Sequence, residues 1–265
     1  ACSANHAYGK LALHAETFID LTFEKPQDIN GIFGEINPWK RFFTLAMRTT
    51  VDLEQISLYR DDVRYDSGKQ PMKELPVWMG RKASKEVQHP KWFFDDFFFT
   101  YDDVEANFES VFKSWKKMQM PWAAVLHRYF AVTCRRGLWI NEEFLFLAQA
   151  IESMHRARNG FSGDVNFDQA AKEAYLNAPN GLKEQLGPKS QFIDQLRKSR
   201  NYWIHYGEPS PQTDKDILDD LDLFFFCQKL RWIIEASIMT EIGVPEKCVE
   251  KVWWDHWAPK IIEYQ

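Results

Sequence analysis

The chain has 265 residues, 45% apolar and 27% charged, enough for one large domain or two small ones with a real core, which excludes a disordered chain. A net charge of −5 excludes a uniformly basic nucleic-acid binder but leaves room for a local basic groove. Aromatic residues reach 15%, with 21 Phe and 11 Trp, so a bulky core or a large buried interface is expected.

No uncharged apolar run approaches the roughly 18 residues of a membrane span, and the N-terminus lacks a secretory apolar core. The chain therefore reads as cytoplasmic and free of membrane. It begins at Ala1 rather than Met, which suggests a fragment. Cys2, Cys134, Cys227 and Cys248 are widely spaced without a CxxC pair, so they read as reduced thiols.

The first hundred residues have mixed patterning. Leu11, Leu13, Ala15, Thr17, Ile19, Leu21 and Phe23 alternate with mostly polar neighbours, the period of a strand. Lys25–Phe33 reads as a short helix opened by Pro26. Phe43, Leu45 and Met47 alternate as a strand does, as does Leu53–Tyr59 more loosely. Arg60–Pro90 is polar and rich in Gly and Pro, so a long loop is expected. Trp92–Tyr101 carries five Phe and reads as a buried strand.

From Val104 the period is helical. Phe108, Val111, Phe112 and Trp115 share one stripe. Pro121 opens a second helix ending near Gly137. Asn141 is the expected N-cap of a third, with Glu142 and Glu143 in its first turn, ending near Arg158. A helical insertion occupies residues 160–187. A fourth main helix follows Gly187-Pro188 and stops at Gly207. A fifth is expected after Pro211 and Thr213, with Asp214, Asp216, Asp219 and Asp220 in its first turns. A last short helix ends in Trp253, Trp254 and Trp257. The expectation is an α+β chain. Residues 1–103 form a β-containing N-terminal region, and residues 104–265 an all-α helical bundle.

Most catalytic motifs are missing. There is no phosphate-cradling Gly loop. Asp164, Asn166 and Asp168 imitate a calcium loop, but Gln169 and Tyr175 occupy its Gly and Glu positions. Glu86/His89 and Glu152/His155 fall short of a di-iron set. No metal and no cofactor are expected.

What remains is Arg200-Asn201-Tyr202-Trp203-Ile204-His205. With Arg200 at the origin and about 100° per residue, Asn201 falls near 100° and His205 near 140°. The apolar stripe of Phe192, Leu196 and Trp203 faces elsewhere. One helix thus presents a cation, an amide and an imidazole together. That grouping suits metal-free RNA cleavage. The 2′-hydroxyl is the nucleophile, imidazole can act as acid or base, and guanidinium can take two bonds to the charged phosphorane. The spacing alone is weak evidence, since such an Arg–His pair arises about once by chance in a chain like this.

The same residues carry a resemblance. From about Asn107 to the end, the chain resembles a HEPN domain, whose signature is Arg, four to six residues, then His. Here that is Arg200-Asn201-x-x-x-His205 at a helix end before Gly207. Phe144–Glu152 resembles the earlier HEPN helix that contributes a Glu near the site. The arrangement is most similar to the ApeA-like HEPN proteins of bacterial anti-phage defence, relative to which the N-terminal part looks truncated. The resemblance implies a metal-independent endoribonuclease working as a homodimer with a composite site, leaving 2′,3′-cyclic phosphate and 5′-hydroxyl ends. It implies Arg200, His205, Asn201 and Glu152 as catalytic residues. A structural Glu152–Arg200 pair is an equal alternative for Glu152.

The acid-free stretch Ser110–Asn141 carries Lys113, Lys116, Lys117, Arg128, Arg135 and Arg136. With Lys189, Arg197 and Lys198 it is read as an RNA track, and Lys198, Arg197, Arg135 and Arg136 are the expected substrate-binding residues. An amphipathic pair of helices facing an acidic neighbour explains the stretch equally well. The RNA is open, with transfer RNA (tRNA) among the candidates. The other readings are a HEPN scaffold that binds a nucleotide or partner protein without catalysis, and a purely structural helical domain.

Overall fold

The computed structural model describes residues 2–7, 10–15, 19–25, 27–53, 55–58, 75–77, 97–135, 137–160, 166–207 and 209–254. The chain divides into two compact units, residues 1–37 and 38–265. It is α+β, with helices dominating.

In the first unit, β1 (Cys2–Ala7) and β2 (Lys10–Ala15) form an antiparallel pair, from Cys2 opposite Ala15 to Ala7 opposite Lys10. The alternation read from Leu11 thus begins in a strand, but residues 19–23 are irregular. Helix α1 (Ile29–Met47) starts where the Gly31 amide donates to Asp28 Oδ1 at 2.7 Å, and it continues into the second unit.

The strand expected at Phe43, Leu45 and Met47 is therefore helix. Buried Phe42, Leu45 and Ala46 follow the i, i+3, i+4 spacing of a helix face, and this outweighs the three alternating positions. β3 (Ile56–Leu58) pairs antiparallel with β4 (Leu75–Val77), which lies in the expected loop. The rest of Arg60–Pro90, and Trp92–Asp96, lie outside the described residues. Phe97–Thr100 form no strand. Phe98 and Phe99 are buried, and the Phe98 amide donates to Ala46 O at 2.9 Å. Thr100 and Asp103 then turn the chain into a helix, the Thr100 amide and hydroxyl both donating to Asp103 Oδ2.

Helix α2 (Tyr101–Val104) and one 3₁₀ turn lead into α3 (Phe108–Met118) and α4 (Ala123–Cys134). Then come α5 (Ile140–Asn159), α6 (Phe167–Asn177), α7 (Asn180–Leu186), α8 (Lys189–His205), α9 (Asp220–Ile242) and α10 (Glu246–Trp254). Helix α5 is central, packed on α4, α6, α8 and α9. Its Leu147, Ala148, Ala150 and Ile151 are fully buried, and the two alanines allow close helix approach.

Helix starts differ from expectation in α1, which begins at Ile29 and runs on to Met47 where a short helix over Lys25–Phe33 is expected, and in α5 and α9. α5 is capped at Trp139, whose amide donates to Glu142 Oε2. Asn141 sits inside the first turn and donates instead to Tyr206 Oη at 2.8 Å. α9 begins at Asp220, not near Asp214. Tertiary bonds hold the preceding segment out of the helix: the Leu218 amide donates to Ser199 Oγ, Trp203 Nε1 donates to Leu218 O, and Asp214 and Asp216 bind Lys198.

Among the described residues the bundle buries one carboxyl. Glu235 of α9 is 1% exposed, accepts from Tyr129 Oη at 3.1 Å and faces Arg48 Nη2 at 3.6 Å. Burial raises the Glu235 pKa, and Arg48, Arg231 and the Tyr129 bond only partly oppose it. A carboxyl raised in the folded state stabilises fully below its unfolded value, about 4.3, and that contribution is lost as pH rises through the folded value. Glu235→Gln lacks this titration. In urea unfolding across pH it should gain on the wild type as pH rises from about 4. Parallel stability curves would contradict the assignment.

Candidate active site

Helices α5 and α8 bring the signature residues together. Arg200 and Asn201 lie in the last two turns of α8, and His205 is its final residue. The helix stops because Tyr206 adopts the left-handed conformation, φ 50°, and returns its amide to Tyr202 O. That fold-back leaves His205 and Asn201 exposed at the helix end. Neither makes a hydrogen bond or ion pair to the described residues.

Glu152 of α5 reaches Arg200, Oε2 to Nη2 at 3.5 Å. Its other oxygen accepts from Arg156 Nη2 at 3.2 Å, one turn along α5. One carboxylate therefore faces two guanidinium groups, and both side chains of the Arg200–Glu152 pair are about a quarter exposed. The Arg200 guanidinium carbon also stands 4.5 Å from the centroid of the Phe167 ring, at the start of α6. Arg200 Nε is buried without a hydrogen-bond partner among the described residues.

The expected RNA track is placed unevenly. Lys198 Nζ lies 2.7 Å from Asp216 and 2.9 Å from Asp214, and these bonds raise its pKa, Asp216 foremost. Arg197 is held by Asp194 at 2.8 Å and Asp168 at 3.5 Å, and Asp194 chiefly raises its pKa. A phosphate would compete with those carboxylates. Arg135 is exposed just past α4, and Arg136 lies outside the described residues. Arg128 is held by Gln149 Oε1 and Ala124 O, both neutral.

The other histidines divide. His127 is exposed. His155 is buried and bonds Glu173 of α6, which also accepts from Asn159 Nδ2 at 2.9 Å. Asn166 and Asp168, from the calcium-like sequence, cap α6 and pair with Arg197. Glu86 and His89 lie outside the described residues. Among the described residues no three His, Cys, Asp or Glu side chains are grouped to hold a metal.

Residues 145–248 match the family model "Apea-like HEPN", and residues 4–115 match "ApeA N-terminal domain 1". The chain is an ApeA-like HEPN protein. No curated protein and no solved structure matches it. The HEPN match includes α5 from Leu145 and all of α6 to α9, so Glu152, Arg200, Asn201 and His205 all fall inside it. The range also contains residues 160–187, read from sequence as an insertion. No described helix is long and apolar enough to cross a membrane.

Sequence reasoning missed three neighbours of the site. Arg156 was legible as the i+4 partner of Glu152. Phe167 was not, because nothing in its own segment says that α6 returns over α8. Tyr206 carries no motif signal, yet its hydroxyl ties the α8 end to the α5 start.

Proposed function

We propose that this ApeA-like HEPN protein is a metal-independent endoribonuclease, with residues 104–265 as its catalytic domain. What supports this most is a pair of reactive groups on α8 with donors not taken up by hydrogen bonds to the described residues. His205 is exposed and unbonded to the described residues, and five positions before it Arg200 makes an ion pair but no hydrogen bond to them. Both groups thus keep donors for a phosphodiester.

The RNA 2′-oxygen attacks its own phosphorus, the P–O5′ bond breaks, and a 2′,3′-cyclic phosphate and a 5′-hydroxyl result. A proton leaves the 2′-oxygen and another reaches the 5′-oxygen. His205 serves one of these transfers. Arg200 steadies the charge on the pentacoordinate phosphorus, oriented by Glu152. Asn201, one turn before His205, orients the phosphate or the imidazole. Arg135, Arg136, Arg197 and Lys198 are assigned to the RNA backbone, the last two after release from their aspartates. A cytoplasmic role in defence against phage is part of this reading, and tRNA is a candidate substrate.

The working form is a homodimer whose second protomer brings its own Arg200 and His205. Trp139, Leu221 and Tyr206 are 76%, 70% and 62% exposed, with Ile204 and Phe224 also exposed. The Asn141–Tyr206, Cys227–Ile140 and Trp203–Leu218 contacts gather the α5 start, α8 end and α9 start at one end of the bundle, where His205 stands. Apolar area concentrated there suits a copy-to-copy contact. Changing Leu221 and Phe224 together to Glu should halve the mass seen by sedimentation and cut RNA cleavage at least tenfold, the loss expected from about 1.4 kcal/mol. A dimer that survives the change, still cleaving RNA, would remove this face from the site. RNA cleavage in EDTA tests the chemistry itself, with Arg200→Ala expected to be inactive. A folded protein that binds a nucleotide or a partner protein but never cuts RNA would favour the scaffold reading.

A further inference from the structure

Arg200 is placed in an unusual way. An arginine that must meet a phosphate is commonly fixed by hydrogen bonds that consume some of its five donors. Here it makes none to the described residues, and its Nε is buried without a partner among them. Two restraints remain: the Glu152 carboxylate at 3.5 Å and the face of Phe167 at 4.5 Å. A ring face attracts the cation electrostatically and takes no N–H donor lying in the guanidinium plane.

Phe167 can do this only if its helix is fixed, and α6 is tied down independently. Asn166 caps it by accepting from the Asp168 and Gln169 amides. Glu173 bonds His155 and Asn159 of α5. Asp168 pairs with Arg197 of α8. Tyr175 donates to Gly187 O at 2.8 Å and packs on Phe192. Ala170, Ala171 and Ala174 are buried, so the helix lies close against its neighbours.

We propose that Phe167 is a positioning residue for Arg200, holding the guanidinium by its π face so that donors on the Nη nitrogens stay free for the RNA phosphate. This rests on the ribonuclease reading. An arginine that is present but misoriented loses its fit to the transition state more than its attraction for the substrate, so the effect belongs in kcat rather than KM.

The test compares wild type, Phe167→Leu and Phe167→Trp. Leu keeps an apolar side chain beside Arg200 and removes the ring, and Trp restores a ring. The first readout needs no RNA: the Nε–H resonance of Arg200 in ¹⁵N-arginine protein, assigned by its loss in Arg200→Lys. It should be shifted upfield by the ring in wild type, move to the ordinary arginine position in Phe167→Leu, and move back in Phe167→Trp. The second is RNA cleavage. In Phe167→Leu kcat should fall about three- to tenfold with KM within about twofold, and Trp should recover it. An Arg200 resonance identical in wild type and Phe167→Leu, or wild-type cleavage by Phe167→Leu, overturns the proposal. If wild type cuts no RNA while the resonance behaves as expected, the ribonuclease reading falls and takes the catalytic purpose of the contact with it. The contact itself then stands.

Discussion

His205→Ala should lose RNA cleavage by roughly 10²–10⁴-fold, the range for removing a general acid or base. The protein should remain folded. His205 is exposed at the last position of α8 and bonds none of the described residues, so removing it leaves no cavity and no orphaned partner. Its favourable contact with the helix C-terminus is worth about 1 kcal/mol or less. Cleavage by equal amounts of both proteins, with circular dichroism and thermal melting alongside, separates chemistry from fold. Cleavage by His205→Ala at the wild-type rate would place the chemistry elsewhere. His205→Gln, which keeps hydrogen bonding without proton transfer, should be nearly as inactive.

Trp115→Ala should have the largest effect on stability, about 3–5 kcal/mol by denaturant unfolding. Trp115 of α3 is fully buried, and its ring lies against Phe42 and edge-on to Phe130. Its Nε1 donates to Pro38 O at 2.7 Å. Around it Trp39 stacks on Phe112 at 3.7 Å. Truncation opens a large cavity and takes a donor from the α1 backbone. Trp115→Phe keeps most of the packing and loses the bond, so it should cost less, about 1–3 kcal/mol. A loss below about 1 kcal/mol for Trp115→Ala would mean that α1 is not anchored to α3 as described.

This aromatic cluster also shows where sequence legibility ended. Most of the C-terminal helices were readable because an apolar pattern at helical spacing runs between Gly or Pro residues. α8 between Pro188 and Gly207 is the clearest case. α1 was not readable at its C-terminal end. Phe43, Leu45 and Met47 alternate by accident, while the buried face is Phe42, Leu45 and Ala46, with Phe42 packed on Phe108, Phe112 and Trp115 far along the chain. The start of α9 failed for a related reason. Asp214 and Asp216 look like helix-dipole acids, yet Lys198 and Ser199 on α8 capture their segment. Local propensity yields to tertiary bonds there.

The candidate site was legible in the same measure. The spacing of Arg200, Asn201 and His205 lies within one helix, so sequence suffices to put them on adjoining faces. Glu152 needed the resemblance to bring α5 beside α8, and the 3.5 Å pair is found there. Whether Glu152 is catalytic or a structural partner of Arg200 was left open by sequence, and Arg156 shares its carboxylate. The basic track was the least legible part. Counting Lys and Arg cannot reveal that Lys198 and Arg197 meet aspartates distant in sequence or a turn away. Phe167 was invisible for the same reason.

The most direct test of the central claim is end-group analysis of RNA cut by the wild-type protein in EDTA. The account predicts cleavage without divalent metal, leaving 2′,3′-cyclic phosphate and 5′-hydroxyl ends. Products with 3′-hydroxyl and 5′-phosphate ends, or cleavage that appears only when a divalent metal is restored, would contradict it.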